Sequence, residues 1–399
     1  MKLPALSSKL NLKGKRIFLR VDWNVPVKEN LALEKSLKIS RSIETIKSLS
    51  KRGAIVIVAT HLGRPKGREP ALSTQQFVPR LAQTYGLPLT FLGDVLDTAQ
   101  GLAHASAILQ KARAGDVYLL ENVRFYLGEK QNDPKLVSAF ASLASIFVND
   151  AFADCHRKHA SIVGISKKLP SYAGQSLLAE VASLERLMTK SKKPFVAIVG
   201  GAKISTKVDV LAALLRLADE VLIGGAMAHA FFAAKKLPIG KSFVEKEGIA
   251  IAKKLLKNPK IVLPTDVVVA PKLEYGARVR VVNPREVKLT ERIGDIGPET
   301  MRAWAFEIKK ARTIVWNGPL GVAEIPTFSH GSLVIGRAIA ARSKGPAYGV
   351  VGGGDTLPII LATGMSEWVD HLSTGGGAML EFIAKKGKLP GLLALQKRI

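Results

Sequence analysis

Cysteine is almost absent from this chain of 399 residues, in which Cys155 is the single example. One cysteine excludes an internal disulfide and favours a reducing compartment. Aromatic residues contribute only 6% of the sequence, so we expect a core of Ala, Val, Leu and Ile. No uncharged apolar run approaches the ~18 residues that a membrane helix needs, and the first residues lack a signal-peptide pattern. We therefore expect a soluble, cytoplasmic protein.

Acidic residues are also scarce, since Asp and Glu total 32 against 59 Lys and Arg. The net charge is +27, and such an excess can indicate a polyanionic partner such as nucleic acid. However, the chain has no basic tail and no arginine-rich arm, and many of its lysines are spaced along amphipathic segments such as 253–260. We therefore interpret the charge as a solvated basic surface and predict neither a nucleic-acid nor a membrane partner.

Short apolar runs alternate with segments of helical periodicity along most of the chain. Most of the runs are apolar throughout, which is typical of strands covered on both faces. Strands that alternate with helices indicate an α/β protein with parallel sheets. The candidate strands are 16–22, 54–60, 117–122, 145–150, 195–201, 220–225, 312–318, 347–353 and 370–376.

The strand ends fall into two classes, and ligands of parallel sheets bind at the carboxyl ends of strands. Before residue 165 the strands end in charged and hydrogen-bonding side chains, whereas after residue 190 they end in glycine. Arginine suits carboxylate and phosphate, so the first class predicts a pocket for a small anion. Any one of these arginines alone would be interpreted as a surface residue paired with a neighbouring acidic side chain. The predicted residues of the pocket are Asp22, Asn24, His61, Arg64, Arg124 and Arg157.

The glycine-rich strand ends predict a magnesium–nucleotide site. Gly200 and Gly201 allow a ligand to approach the backbone, and a helix that begins near Ser205 offers free amide groups to phosphate. Lys203 and Lys207 lie one helical turn apart and can reach the same phosphates. Glycines alone can simply tighten turns between strands and helices, so the lysines carry much of this inference.

Two further glycine-rich turns, at 352–354 and 373–378, support the nucleotide site. Asp355 follows the first of them as a carboxylate for magnesium, and Thr356 follows as a helix cap or a phosphate ligand. The segment 154–159 offers an alternative metal site, because cysteine and histidine can ligate zinc. No second pair of such residues stands at a suitable spacing, and we interpret Cys155 as a small core residue.

A domain boundary is predicted at 166–174, a segment that contains Pro, Ser and Gly. Residues 176–190 then show helical apolar spacing, which predicts a helix joining two domains. We therefore predict a first domain over 1–172 and a second over 173–384, with 175–190 as the connecting helix.

A set of segments resembles the phosphoglycerate kinase family, in order and with similar spacing, from about residue 12 to residue 395. The resemblance implies two doubly wound, Rossmann-like domains facing a cleft, with 385–399 returning to pack on the first. It also implies reversible phosphoryl transfer between 1,3-bisphosphoglycerate and Mg-ADP, which gives 3-phosphoglycerate and Mg-ATP, in a monomer. The segments are RVDWNVP (20–26), HLGRP (61–65), ENVRF (121–125), NDAFADCHRKH (149–159), GGAKISTK (200–207), WNGPLGVAE (316–324), GGGDT (352–356) and STGGGA (373–378).

The resemblance further implies roles residue by residue. Lys38, Lys203 and the amide of Gly354 would stabilise the transferring phosphoryl group without a covalent intermediate, and domain closure would align the substrates and exclude water. The implied substrate-binding residues are Asp22, Asn24, Lys38, His61, Leu62, Gly63, Arg64, Arg124 and Arg157. The implied nucleotide-binding residues are Lys203, Lys207, Asn317, Glu324, Gly353, Gly354, Asp355 and Thr356, with Asp355 as the Mg²⁺ ligand and Glu324 at the ribose.

The chain departs from the family pattern where an arginine is usual, since the register places Lys38 there and Arg41 lies three residues later. Lysine keeps the charge but lacks the planar fork of arginine. Helical spacing of three puts Arg41 on a neighbouring face, so Arg41 can substitute if the segment is shifted. The register itself favours Lys38 as the cation beside Asp22. Ala153 and Asp154 are lesser departures, at positions where glycine or a small residue is usual.

Two other functions remain open from the sequence. One is a family-like scaffold with reduced activity that binds polyanions through its net charge. The other is a kinase that acts on a different phosphorylated acid. Retention of Lys203, Asp355 and the arginines argues against the scaffold, because a drifted protein has no need of all of them.

Overall fold

A computed structural model describes residues 1–25, 36–93 and 95–396. The chain folds as two compact units, Met1–Ala182 with Gly387–Ile399 and Ser183–Lys386. Pro26 of the first motif and residues 397–399 of the predicted returning segment lie outside the described residues. Within the described ranges, no helix combines the length and the apolar character that a bilayer span requires.

The first unit is built around a parallel six-stranded sheet with strand order β3-β4-β2-β1-β5-β6. Strands β2 and β5 are buried at every residue, which explains why their sequences are apolar throughout. The strands are β1 (Arg16–Arg20), β2 (Ile55–Ala59), β3 (Thr90–Phe91), β4 (Val117–Leu119), β5 (Ile146–Asn149) and β6 (Ser171–Ala173). The helices begin with α1 (Leu37–Lys51), α2 (Phe77–Tyr85), α3 (Ala99–Gln110), α4 (Gly128–Gln131), α5 (Pro134–Ser142) and α6 (Gln175–Thr189).

The second unit contains a parallel six-stranded sheet of order β15-β14-β13-β7-β8-β9 and a three-stranded antiparallel sheet of order β11-β10-β12. Its strands are β7 (Phe195–Val199), β8 (Glu220–Ile223), β9 (Ile261–Val262), β10 (Val267–Ala270), β11 (Arg280–Val282), β12 (Arg292–Ile296), β13 (Thr313–Asn317), β14 (Tyr348–Gly352) and β15 (His371–Ser373). Its helices are α7 (Val208–Leu217), α8 (Gly225–Ala234), α9 (Lys246–Leu255), α10 (Pro298–Lys310), α11 (His330–Ser343), α12 (Leu357–Ala362) and α13 (Gly377–Ala384).

The predicted α/β fold with parallel sheets is confirmed, and every candidate strand is present with shorter ends. The antiparallel sheet was not predicted, because its strands do not alternate with helices. Strands β3, β6 and β9 were also not predicted: β3 and β9 have only two residues each, too few to show periodicity, and β6 lies in the segment 166–174 that was interpreted as a domain boundary. Strand β6 lies inside 166–174, which therefore forms an edge of the first sheet and is not a linker.

Helix α6 contains the boundary between the units, which falls after Ala182. Leu177, Val181 and Leu184 recur on its buried face, as the sequence spacing predicts. The final helix, α14 (Pro390–Gln396), belongs to the first unit, and the Gly391 amide donates to the carbonyl of Cys155 over 2.8 Å.

We predict that Gly391→Ala destabilises the first unit. An added Cβ would lie 3.0 Å from the Cα of Cys155 and 2.9 Å from Cγ2 of Ile162, and backbone there has little room to move. Overpacking of this kind costs about 1–3 kcal/mol, which exceeds the gain in helix propensity. Chemical denaturation measures the effect. Gly377→Ala is the control, because this helical glycine has nothing within 4 Å of its added Cβ; equal stabilities would contradict the close contact.

Candidate substrate and nucleotide sites

The ends of three adjacent strands meet at one edge of the first sheet. Arg20, the last residue of β1, pairs with Ala59 of β2 on one side and with Asn149 of β5 on the other. The segments that leave these strands therefore start side by side. They bring Asp22 and His61 together, because ligating atoms of these two residues and of Asp154 lie within 4.8 Å of one another.

Lys38 lies beside Asp22, in the first turn of α1. Its Nζ is 2.8 Å from Oδ2 of Asp22 and donates to the carbonyl of Asn24 over 3.3 Å. Arg41 points elsewhere, with Nη1 3.6 Å from Oε1 of the buried Glu180 on α6. Lys38 is therefore the cation of this helix that joins the strand-end residues.

A buried arginine, which the sequence analysis did not select, organises the centre of this cluster. Arg20 is completely buried, and its guanidinium donates to Oδ2 of Asp154 (3.0 Å), to Oγ of Ser161 (2.9 Å) and to the carbonyl of Val21. Nη2 of Arg20 also lies 3.1 Å from Nδ1 of His61. The available signal was an arginine that directly follows the apolar run Ile17–Leu19, because a buried guanidinium requires hydrogen-bonded, charged partners.

Asp154 links this buried arginine to Arg157, whose Nη1 donates to Oδ1 of Asp154 over 2.7 Å. Burial would raise the pKa of the Asp154 carboxyl, but neighbouring His61 and Arg20 hold that pKa well below its usual range. Asp154 is therefore an anion at neutral pH. Burial lowers the pKa of His61, against an opposing effect of Asp154. His61 is consequently neutral at pH 7, and its buried Nε2 has no hydrogen-bond partner among the described residues.

The loop after β2 is fixed between two predicted site residues. The Gly63 amide donates to Oδ1 of Asn24 over 2.9 Å, and its carbonyl accepts from Nη1 of Arg124 over 2.5 Å. Burial lowers the pKa of Arg124 to about 10, so this group remains a cation at pH 7. Leu62 is 1% exposed and packs in the core, whereas Arg64 is exposed to solvent. Leu62 can therefore contact a ligand only through its backbone.

The alternative zinc site at 154–159 is not supported. Cys155 is buried, as its interpretation as a core residue predicts, and burial raises the pKa of its thiol so that the thiolate is disfavoured. The described residues that come close enough to share a metal are instead Asp22, His61 and Asp154. Their carboxylates already neutralise arginine and lysine side chains, which a dication would have to displace.

The second candidate site lies at the carboxyl ends of β7, β13 and β14, where Val199, Asn317 and Gly352 are aligned by the strand register. The turns here approach one another closely. A Cβ added to Gly200 would lie 2.1 Å from the carbonyl oxygen of Pro319, so only glycine fits. Nδ2 of Asn317 donates to the Gly352 carbonyl over 2.8 Å and joins two strand ends.

Lys207 is held against this edge of the sheet. Its Nζ donates to the carbonyl of Gly200 over 2.7 Å and to Oδ1 of Asn317 over 3.1 Å. Burial lowers the pKa of Lys207 to about 8, although nearby Asp355 raises it. Lys203 is exposed and lies just before a single 3₁₀ turn, Ser205–Lys207, that leads into α7. The lysines therefore differ, since one is anchored and the other is presented to solvent.

The residues after β14 also differ in their exposure to solvent. Gly354 and Asp355 are exposed, whereas Thr356 is completely buried. Thr356 stands at the predicted N-cap position of α12, but its side chain makes no capping bond to that helix, and Oγ1 instead accepts from the Gly318 amide over 2.8 Å. Gly353 adopts a φ of +119°, which lies in the region that favours glycine.

A cavity of about 280 Å³ lies beside these turns, within the second unit. Small and apolar residues form most of its wall, and two predicted site residues, Glu324 and Asp355, lie at it as well. This apolar wall was not predicted from the sequence. The glycine pair after β8 was its local signal in the chain. Representative lining residues are Gly225, Ala228, Phe232, Phe243, Leu320 and Val322. The arrangement suits a ligand with one flat apolar part and one anionic part.

The exposed carboxylate lies near one anchored lysine and one exposed lysine. This combination also fits a metal ion that arrives bound to phosphate groups. Magnesium is usually bound through one or two carboxylates together with phosphate oxygens and water. Asp355 supplies one such carboxylate, and Lys203 and Lys207 supply positive charge around it. The donor set therefore fits a magnesium–nucleotide complex better than a metal held by protein alone.

Comparison with known proteins gives a consistent result. The family model described as phosphoglycerate kinase matches residues 7–386. The phosphoglycerate kinase of Thermosipho africanus is 41% identical over 396 residues, which cover 98% of this chain and 97% of the relative. That of a Thermus thermophilus strain is 42% identical over 97% of this chain and 98% of the relative.

Solved structures agree with these relatives. The phosphoglycerate kinase structure from Coxiella burnetii has a TM-score of 0.81 at 37% identity and covers 100% of both chains. The Pyrococcus horikoshii structure has a TM-score of 0.85 at 32% identity and covers 97% of both. Fold and comparisons together define a phosphotransferase with two Rossmann-like α/β domains and a carboxyl group as acceptor. The chain belongs to the phosphoglycerate kinase family.

We predict that Asp295, in the cavity wall, makes stability depend on pH. It accepts hydrogen bonds from the amides of Ile296 and Gly331, and burial raises its pKa to about 7. The unfolded value is about 3.9, so the folded protein loses stability as pH rises from about 4 to about 7. The loss is at most a few kcal/mol.

Asp295→Asn removes this titration. Its unfolding free energy, measured by denaturant titration, is expected to improve relative to the parent protein between pH 5 and pH 8, whatever constant offset the amide introduces. Asp219→Asn serves as control. Burial would raise the pKa of Asp219, but hydrogen bonds from Lys193 and the Phe195 amide lower it below its ordinary value, so no such difference is expected between pH 5 and pH 8. Parallel stability curves for the parent and Asp295→Asn would contradict the raised pKa.

Proposed function

We propose that the protein catalyses reversible phosphoryl transfer from 1,3-bisphosphoglycerate to Mg-ADP, giving 3-phosphoglycerate and Mg-ATP in glycolysis. Membership of the phosphoglycerate kinase family supports this activity. The carrying observation is that each unit gathers one kind of ligand-binding group at its strand ends. The first gathers cations and hydrogen-bonding side chains, and the second gathers glycine turns, lysines and a carboxylate.

The first unit is proposed to hold the phosphoglycerate. Asp22 and Asn24 offer oxygen acceptors for its hydroxyl, while Arg124 and Arg157 offer guanidinium groups for its anionic ends. His61 contributes the unpartnered Nε2, a polar atom that a ligand can satisfy. Arg64 and the backbone of Leu62 and Gly63 complete the proposed substrate-binding set.

The second unit is proposed to hold the nucleotide. The apolar cavity suits the base, Glu324 the ribose, and the amides of Gly353 and Gly354 the phosphates, with Lys203. Asn317 orients Lys207 toward the same edge, and the proposed role of buried Thr356 is to position the turn. Asp355 would hold the magnesium that arrives with the nucleotide, and that ion would neutralise phosphate charge when bound.

Catalysis in this account is alignment and charge stabilisation. Lys38 is proposed to reach the transferring phosphoryl group from the first unit, and Lys203 and the amide of Gly354 from the second. No side chain forms a covalent bond to the substrate. We further propose that α6, which contains the boundary between the units, permits their closure during turnover.

We also propose a cytoplasmic monomer without a nucleic-acid or membrane partner. The buried single cysteine supports a reducing compartment. Named relatives include a cytosolic protein from Nicotiana tabacum and a chloroplastic one from Arabidopsis thaliana, so the family occurs in more than one compartment. The comparisons do not favour the alternative of a polyanion-binding scaffold.

We predict that Lys38→Ala lowers turnover by about a hundred-fold or more, because it removes a donor to the transferring group. Arg41→Ala is the matched control, since Arg41 pairs with Glu180 and not with Asp22. A coupled assay with 3-phosphoglycerate and Mg-ATP measures both. Lys38→Arg should retain most activity, because it keeps the cation. Equal losses for the two alanine variants, or a larger loss for Arg41→Ala, would refute this assignment.

We predict that nucleotide affinity falls as pH rises above about 8. Lys207 has a pKa of about 8 without ligand, and phosphate binds the protonated form better, so each further pH unit costs up to about tenfold in affinity. Calorimetric titration of Mg-ADP between pH 7 and pH 9.5 checks this. Lys207→Arg should show a weaker pH dependence, because arginine stays charged. A parent protein with constant affinity across this range would contradict a phosphate-binding Lys207.

A further inference from the structure

Asp154 is a carboxylate inside the cation cluster of the first unit. Its side chain is 1% exposed, and its two oxygens face different partners. Oδ2 accepts from Nη2 of Arg20 over 3.0 Å and lies 3.2 Å from Nδ1 of His61, while Oδ1 accepts from Nη1 of Arg157 over 2.7 Å. The cluster therefore contains its own anion.

Of these contacts of Asp154 with arginine, only the one with Arg20 has a structural explanation. A completely buried guanidinium needs a counter-charge, and Asp154 provides it. The contact with Arg157 has no such explanation, because the Arg157 side chain is 31% exposed and water can solvate it. Buried Asp154 already has its counter-charge in buried Arg20, so it does not need the partly exposed Arg157 to neutralise it. Oδ1 of Asp154 therefore accepts from an arginine that the fold does not require Asp154 to neutralise.

This second contact bears on ligand binding. Arg157 is one of the arginines proposed to bind the anionic substrate, and its guanidinium is already hydrogen-bonded to a carboxylate. Burial lowers the pKa of Arg124, and Asp154 is the strongest influence that raises it, ahead of the more weakly acting Glu129. A negative charge at this position opposes the arrival of another anion at the same cations.

We propose that Asp154 is a built-in counter-anion that sets how tightly the first unit binds its anionic substrate. It competes with that substrate for Arg157 and offsets the field of the surrounding arginines. The first unit thus has a preorganised cation cluster but binds its anionic substrate with moderate rather than maximal affinity. Moderate affinity favours release of the product. The inference rests on the proposed phosphoglycerate site and concerns a positioning and specificity-determining residue of that site.

Asp154→Asn tests the proposal, because asparagine has nearly the same shape and lacks the charge. Calorimetric titration with 3-phosphoglycerate, and separately with inorganic sulfate, is expected to show about tenfold tighter binding than in the parent protein. The gain should shrink at high salt, since screening weakens the repulsion that was removed. In the steady state KM for 3-phosphoglycerate should fall, and kcat should not rise with it. A purely structural role cannot produce tighter binding.

Glu129→Gln is the matched control. Glu129 is another completely buried carboxylate of the same network, which accepts from Oγ of Ser161 over 2.6 Å and contacts neither Arg157 nor Arg20 in any described hydrogen bond or ion pair. Glu129 acts on Arg124 more weakly than Asp154 does, so its loss is expected to lower the thermal midpoint and leave the affinity for 3-phosphoglycerate within about twofold. A gain equal to that of Asp154→Asn would mean that any buried charge has this effect, and would overturn the proposal.

A second comparison covers the case in which Asp154→Asn fails to fold because Arg20 loses its counter-charge. Arg20→Gln and the double variant Arg20→Gln/Asp154→Asn contain no unpaired buried arginine, and the double variant should bind 3-phosphoglycerate more tightly than the single one. Asp154→Asn is compared with the parent protein, and the double variant with Arg20→Gln. Equal or weaker binding in either comparison would overturn the proposed role of Asp154 and leave the proposed substrate site unaffected. A parent protein that does not bind 3-phosphoglycerate contradicts the proposed site as well, so the two failures are distinguishable.

Discussion

The ion pair between Arg20 and Asp154 is the contact on which the first site depends. A guanidinium at the end of a central strand is tolerated only when its donors are satisfied, and here Asp154, Ser161 and the Val21 carbonyl satisfy them. Glu129 in turn accepts from Ser161, so the network reaches the first turn of α4. Arg20, and through Asp154 also Arg157, are therefore held to the core before any ligand arrives, which is the condition for electrostatic preorganisation.

The second unit reaches the same end by different means. Its strand ends are held by main-chain contacts, and the closest of them, between Gly200 and the turn at Gly318 and Pro319, leaves no room for a side chain. Lys207 is anchored by a carbonyl and an amide oxygen rather than by a carboxylate. A nucleotide needs backbone donors and an apolar wall, whereas a small polyanion needs charged side chains. The two strand-end chemistries thus match the two substrates of a phosphoglycerate kinase.

The sequence was sufficient for the fold class, and it predicted which candidate site residues follow the strands, for a physical reason. Parallel strands buried on both faces are apolar throughout, and the polar or glycine residues that follow them must lie at the ligand-binding edge. The antiparallel sheet escaped because β10, β11 and β12 follow one another without α-helices between them. Arg20 escaped because it is part of a strand, and the central role of Asp154 because Arg20 and His61 lie far from it in sequence. The hydrogen bond of Thr356 to Gly318 also depends on tertiary structure alone.

Phosphoglycerate is proposed to bind at the strand ends of the first unit and the nucleotide at those of the second. Amide hydrogen exchange with each ligand separately distinguishes the two sites, because backbone protection is read segment by segment. We expect 3-phosphoglycerate to protect 61–65 and 121–125, and Mg-ADP to protect 200–207 and 352–356. Protection of the glycine-rich turns by 3-phosphoglycerate, with the first unit unchanged, would contradict this proposal.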